Sequence, residues 1–265
     1  MSAATRENAP HARIEAAIRA AGARGVPALV AFLTAGYPRR ERFRADLAAV
    51  ASAADVVEIG VPFTDPMADG VTIQRSSRDA LAQGVTLRWI LAELAAMPPV
   101  AAPLLLMSYL NPLHAFGYAQ LAAAAERARI AGFIVPDLPF DEGGALREAL
   151  ETRGLALVQM ATPVTTAERL AKVCAASRGF VYAVTMTGTT GRHVAVPDDV
   201  VAYLDRVRAA ARVPVCAGFG IRSAEQVARL AGHVDGVIVG SALVEVLERG
   251  EDPAAWLRAL RPATA

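Results

Sequence analysis

Val56-Val57-Glu58-Ile59-Gly60-Val61-Pro62-Phe63-Thr64-Asp65-Pro66-Met67-Ala68-Asp69-Gly70-Val71 is one strand–loop–helix unit. A short apolar run ends in glycine, a loop rich in Pro and Asp follows, and a helical pattern begins after Gly70. Comparable runs fall at 28–33, 104–107, 133–135, 156–159, 180–184, 213–217 and 236–239. Amphipathic segments lie between them, among them 42–53, 86–96, 119–131, 142–152, 224–230 and 244–248. With 56–59 counted, eight near-continuous apolar runs alternate with helices, which predicts a parallel sheet covered by helices. Eight such units in 265 residues predict an α/β fold closed into a (β/α)8 TIM barrel, not an open doubly wound sheet. The first run ends in Thr34-Ala35-Gly36-Tyr37-Pro38 instead of G-x-G-x-x-G, which argues against a dinucleotide site. The alanine-rich segment 11–21 predicts an extra helix over the N-terminal mouth of the barrel. No linker or repeat divides the chain, so the expectation is one domain over 1–265, with 1–10 as a flexible tail.

Composition narrows the function. With 54% hydrophobic and 20% charged residues, a large core is available and global disorder is disfavoured. A formal net charge of +1 gives no reason to expect nucleic acid as a partner. Each apolar run is shorter than the ~20 residues that span a bilayer, so no membrane association is expected. The N-terminus lacks the basic-then-apolar pattern of a signal peptide, and the expected location is cytoplasmic. Cys174 and Cys216 stand far apart without metal-type spacing, which disfavours both a disulfide and a zinc site. Lys172 is the only lysine, and it lies in a helical stretch at 167–175. Schiff-base chemistry needs a lysine amine in the active site, so lysine-dependent aldolase chemistry is disfavoured too.

Glu58 is the residue least at home in its surroundings, because an ionised carboxylate is costly in a dry interior. Side chains alternate along a strand, so Val57 and Ile59 suit the helix layer and Glu58 points into the barrel near its C-terminal end. There it serves chemistry, or it is a structural Glu paired with an Arg or with backbone N–H groups. Asp69 is either a second functional carboxylate or a cap for the helix that follows, and Asp65-Pro66 fits turn chemistry. Two carboxylates bracketing a ligand suit acid–base work. Thr187-Gly188-Thr189-Thr190-Gly191, Gly218-Phe219-Gly220 and Gly240-Ser241 follow the last three strands. They form an anion site from converging N–H groups, or tight turns alone. Gly240-Ser241 also opens a helix, whose dipole favours phosphate, at the place where such barrels often bind it. Tyr182 fits either the core or the site. Phe32 and Leu106 are candidate walls of an apolar pocket. His193 lies in the loop after the sixth strand, while His11, His114 and His233 look peripheral, and no metal-ligand set can be assembled.

The segment from Glu58 to Gln74, taken with 33–38, Asn111-Pro112, Pro136-Asp137-Leu138-Pro139, 188–191, 218–221 and 240–242, resembles the tryptophan synthase alpha chain family. The resemblance runs from about Val26 to the last helix. It implies retro-aldol cleavage of indole-3-glycerol phosphate to indole and glyceraldehyde 3-phosphate. By the same resemblance Glu58 is the acid/base acting at indole C3 and Asp69 the partner of the ring N–H. Tyr182 stands beside the substrate, Phe32 and Leu106 surround the indole, and Thr190 and Gly191 lie on a loop that closes over Asp69. Gly191, Gly220, Gly240 and Ser241 match phosphate-binding positions. The family needs no cofactor of its own and pairs with a beta chain carrying pyridoxal phosphate, usually in an alpha2beta2 heterotetramer. The loop after the second strand touches that partner, which ties Asp65 and Pro62 to the interface. Thr185 and Thr189 stand where the family more often has Ser and Val, and Ser108 and Leu110 where Thr and Tyr are commoner. Rival readings are a stand-alone indole-releasing lyase and a phosphate-binding regulatory subunit, the latter marked by loss of a carboxylate that this chain retains.

Overall fold

A computed structural model describes residues 9–185, 197–218 and 220–261. Eight parallel strands close into a barrel in sequence order: β1 (Ala28–Thr34), β2 (Val56–Gly60), β3 (Leu104–Met107), β4 (Ile130–Ile134), β5 (Ala156–Ala161), β6 (Val181–Val184), β7 (Val215–Gly218) and β8 (Gly236–Val239). β8 pairs back onto β1 with Ala28 opposite Gly236. The chain thus has the (β/α)8 architecture its pattern of runs predicts.

The alternation within β2 sorts its residues as expected. Val57 and Ile59 are fully buried in the layer between barrel and helices, while Val56 belongs to a separate interior cluster. That cluster gathers Ala28, Val30, Leu105, Ala156, Val158, Phe180, Cys216 and Ile238 from the inward faces of the strands. Helix α1 (Pro10–Ala23) completes it, burying Ile14, Ile18 and Ala21 against the first residues of several strands. This helix closes the N-terminal mouth. It starts with Pro at its first position, where a missing N–H costs nothing. Ala9 is already buried and Pro10 is helical, so the expected tail is not free at its last two positions; residues 1–8 lie outside the described residues.

β4 departs from expectation. The sequence pattern puts a helix across 119–131 and the strand at 133–135. In the structure the helix spans Tyr118–Arg127 and the strand begins at Ile130. The turn between them is made by Arg129, the one described non-glycine residue with positive φ, at 58°. Its guanidinium donates to Leu94 O at 2.9 Å and Met97 O at 2.5 Å. A left-handed stop is normally announced by Gly or Asn; here side-chain hydrogen bonds to a neighbouring helix hold an arginine in that conformation.

Candidate active site

The C-terminal ends of the strands surround a cavity of about 420 Å³. Glu58, Asp69 and Tyr182 line it together, with Phe32 on one side and Gly220, Gly240 and Ser241 among the remaining walls. Six of the expected positions from the chemical and phosphate ends, plus the Phe32 wall, therefore meet in one space.

β2 carries Glu58 into the barrel opposite Phe32 of β1 and Leu105 of β3. Its side chain is 0% exposed, and neither carboxylate oxygen has a hydrogen-bond partner among the described residues. The structural alternative, an ion pair or a set of backbone N–H bonds, is therefore absent there. Burial raises its pKa from the ordinary 4.5 to about 8, so the resting side chain is a neutral acid at pH 7. A group poised near the working pH suits proton transfer in either direction.

Asp69 lies on the loop between β2 and helix α3 (Val71–Ala82), the third helix in the chain after α1 and α2 (Phe43–Ala51). It does not cap α3: Gly70 holds the N-cap position without a side-chain bond. The loop folds on itself instead. The Asp69 N–H donates to Pro66 O at 3.1 Å, and Gln74 Nε2 donates to Asp69 O at 2.9 Å. Burial raises the Asp69 carboxyl to about 6, with a hydrogen bond from Tyr109 pulling the other way. Near neutral pH Asp69 is thus mostly ionised while Glu58 is mostly protonated, and environment alone has separated the two carboxyl groups.

Tyr182 of β6 is kept a protonated donor: burial raises its pKa, and the charges of Glu58 and Asp69 add to the effect. Gly218, its neighbour on β7, makes room for the ring, since a Cβ there would stand 2.8 Å from the Tyr182 oxygen. Gly60 does the same for Phe32, whose Cζ would lie 2.4 Å from an added Cβ. Both glycines allow close approach of an aromatic ring, not a special turn. Ser241 opens the helix Ser241–Glu248 behind Gly240, so free N–H groups and the positive end of a helix dipole face one end of the site.

Leu106 is a correction. It is 0% exposed in the layer under the helices, because residues along β3 alternate and Leu105 and Met107 take the inward face. Met107 lines the cavity in its place, together with Ile73, Pro136, Met160, Thr162 and Ile238, which sequence reading did not single out. Counting the period from Glu58 across the sheet register, where Gly60 pairs with Met107, would have selected Met107. Thr190, Gly191 and His193 lie outside the described residues. Pro62 is buried within the chain, so of the two residues tied to the partner only Asp65 offers surface. Lys172 is on an outer helix, ion-paired with Glu168 at 2.7 Å and well away from the cavity lining. Among the described residues no group of three or more His, Cys, Asp or Glu is arranged to hold a metal, and no helix is long and apolar enough to cross a membrane.

Comparison with known proteins agrees with this geometry. Residues 18–261 match the family model of the tryptophan synthase alpha chain. The chain is 44% identical over 249 residues to the tryptophan synthase alpha chain of Nitratidesulfovibrio vulgaris, covering 93% of this chain and 97% of that one. It is 45% identical over 237 residues to that of Solidesulfovibrio magneticus, with 89% and 93% covered. Among solved structures, Mycobacterium tuberculosis tryptophan synthase superposes with a TM-score of 0.87 at 37% identity, covering 94% and 96%. The alpha subunit from Legionella pneumophila gives 0.84 at 32%, covering 94% and 97%.

Proposed function

This chain belongs to the tryptophan synthase alpha chain family, and from that membership we propose that it cleaves indole-3-glycerol phosphate to indole and glyceraldehyde 3-phosphate with Glu58 and Asp69 as its acid–base pair. The observation that carries the reading is Glu58: a fully buried carboxyl with no partner among the described residues, opening on the cavity that Asp69 and Ser241 also line.

The proton inventory fits one group acting twice. Neutral Glu58 donates its proton to indole C3, which interrupts aromaticity and leaves a cationic ring. Asp69, ionised, accepts the ring N–H and stabilises that cation more than the neutral substrate, which is what lowers a barrier. The C–C bond then breaks, and the hydroxyl on the carbon attached to the ring loses its proton to the Glu58 carboxylate. Glu58 ends as it began, and no net proton is consumed. The Tyr182 hydroxyl is a donor beside the glycerol portion. Gly220, Gly240 and Ser241, with Gly191, hold the phosphate, and Phe32 with Met107 walls the indole. Anchoring the remote end converts phosphate binding into orientation at the reacting carbon. None of these steps uses a cofactor from this chain.

The product indole is passed to a beta chain, the pyridoxal-phosphate subunit of a heterotetramer, within the cytoplasm. Met67 on the loop and Val71 at the start of α3, 85% and 80% exposed, flank Asp69 and offer apolar surface for that contact. The whole chain acts as a single barrel domain.

Indole formation from indole-3-glycerol phosphate, measured with and without a cognate beta chain, tests the proposal. Activity that rises strongly with the beta chain is expected; full activity alone would favour a stand-alone lyase. Glu58→Gln should lower cleavage by ~10³-fold or more while glycerol phosphate still binds. Near-normal turnover in that variant overturns the acid–base assignment.

A further inference from the structure

Asp69 is placed with the help of a residue from another strand. Tyr109 follows β3, and its hydroxyl accepts the N–H of Ala68, the residue before Asp69, at 2.9 Å. Having accepted there, the phenol has its own proton to give, and Asp69, the next residue along, is the carboxylate whose charged form that proton favours. No other side chain among the described residues favours the charged form of that carboxylate.

The phenol is itself held on every side. Tyr109 is 5% exposed. Its ring stacks on Phe63, with centroids 5.2 Å apart and planes 25° from parallel. The next residue, Leu110, donates its N–H to Asp137 of the loop after β4 at 2.8 Å. The loops after β2, β3 and β4 are thus linked through Tyr109. Such a hydroxyl differs from a packing residue, because it distinguishes the two protonation states of its neighbour: a hydrogen bond donated to a carboxylate favours the charged form.

We infer that Tyr109 is a positioning residue for the cleavage, one that keeps Asp69 ionised and aimed into the cavity through its hydroxyl. The inference rests on Asp69 acting as the partner of the ring nitrogen. The other titratable groups facing Asp69 are Glu58 from β2 and Tyr182 from β6, which share the cavity. Both are neutral near pH 6, since burial raises each, so neither offers Asp69 an opposite charge. Tyr109, also neutral with its pKa pushed up to about 12 by burial and then by Asp69, is the group that opposes the burial of that carboxylate.

The test uses the alpha–beta complex and the pH profile of kcat/KM. Tyr109→Phe keeps the ring and its stacking but removes the hydroxyl. The expected result is an acid limb moved upward from about 6 by about one pH unit, with a loss of about 2-fold at pH 7 growing to ~10-fold below the limb, and recovery toward wild-type at higher pH. Glycerol phosphate binding should stay unchanged. Phe63→Leu, which loosens the ring but retains the hydroxyl, should shift the limb less and in the same direction. In an Asp69→Asn background, Tyr109→Phe should not lower the residual single-turnover rate further. A limb that stays put in both variants, or an equal loss with and without Asp69, overturns the inference and leaves Tyr109 a packing residue. Asp69→Asn with wild-type turnover is a different outcome, and it overturns the role of Asp69 itself.

Discussion

At the scale of single residues, the site works by giving two carboxyl groups different surroundings. Among the described residues Glu58 has no hydrogen-bond partner and is fully buried, while Asp69 is half-buried on its loop beside Tyr109. A bell-shaped profile of kcat/KM follows, rising as Asp69 ionises near pH 6 and falling as Glu58 loses its proton near pH 8. Initial rates across pH 5–9 check it, and a profile flat through that range would contradict the division of roles. Glu58 also makes the fold sensitive to pH. Its folded pKa lies above the unfolded value of 4.5, so its stabilising contribution is complete below about 4.5 and is lost as pH rises through about 8. Glu58→Gln removes that loss. Urea unfolding should show the variant gaining on the wild type between pH 5 and pH 8.5, by on the order of 3–4 kcal/mol at the upper end. Local sequence exposed Glu58 as a misfit because its neighbours are apolar. It could not decide Asp69, since Asp before Gly-Val at a helix start reads equally as a cap. The decision came from the fold, which gives the N-cap position to Gly70 and puts Asp69 in the cavity wall.

At the scale of elements, short runs located every strand, but the ends depended on contacts between elements. β4 shows why. Ala128-Arg129-Ile130 contains no glycine to announce a helix stop, and periodicity carries the helix on to 131. The stop is set by Arg129 reaching carbonyls at the C-terminal end of a neighbouring helix, Leu87–Ala96. Arg129→Ala should therefore destabilise the protein by about 2–3 kcal/mol, through two lost charge-assisted hydrogen bonds to carbonyls, the left-handed strain being common to both residues. Arg129→Gly should cost less, because glycine tolerates the backbone angle. Equal melting temperatures for the two variants would mean that the backbone angle contributes nothing. The same dependence between elements explains Leu106. One step along a strand reverses the face, and an apolar run such as Leu104-Leu105-Leu106-Met107 carries no polar marker to fix the phase.

At the scale of the whole molecule, stability and chemistry occupy opposite ends of the barrel. Ile14 and Ile18 of α1 fill the N-terminal mouth, and the cavity opens at the C-terminal one. Ile18→Ala should cost about 2–4 kcal/mol of stability yet leave kcat and the pH profile unchanged at temperatures where the variant stays folded. A changed acid limb in that variant would show the two ends to be coupled. The amino-acid sequence by itself determined the architecture, because eight buried runs alternating with amphipathic helices have few other ways to bury their apolar faces. It also determined that Glu58 was exceptional and that a lysine mechanism would have only Lys172, in a helical stretch, to use. Tertiary structure alone decided which carboxyl group is the more deeply buried, which face of β3 lines the cavity, and which residue anchors the loop beside Asp69. Those outcomes depend on desolvation and on contacts among residues far apart in the chain, and neither is carried by the spacing of residues along it.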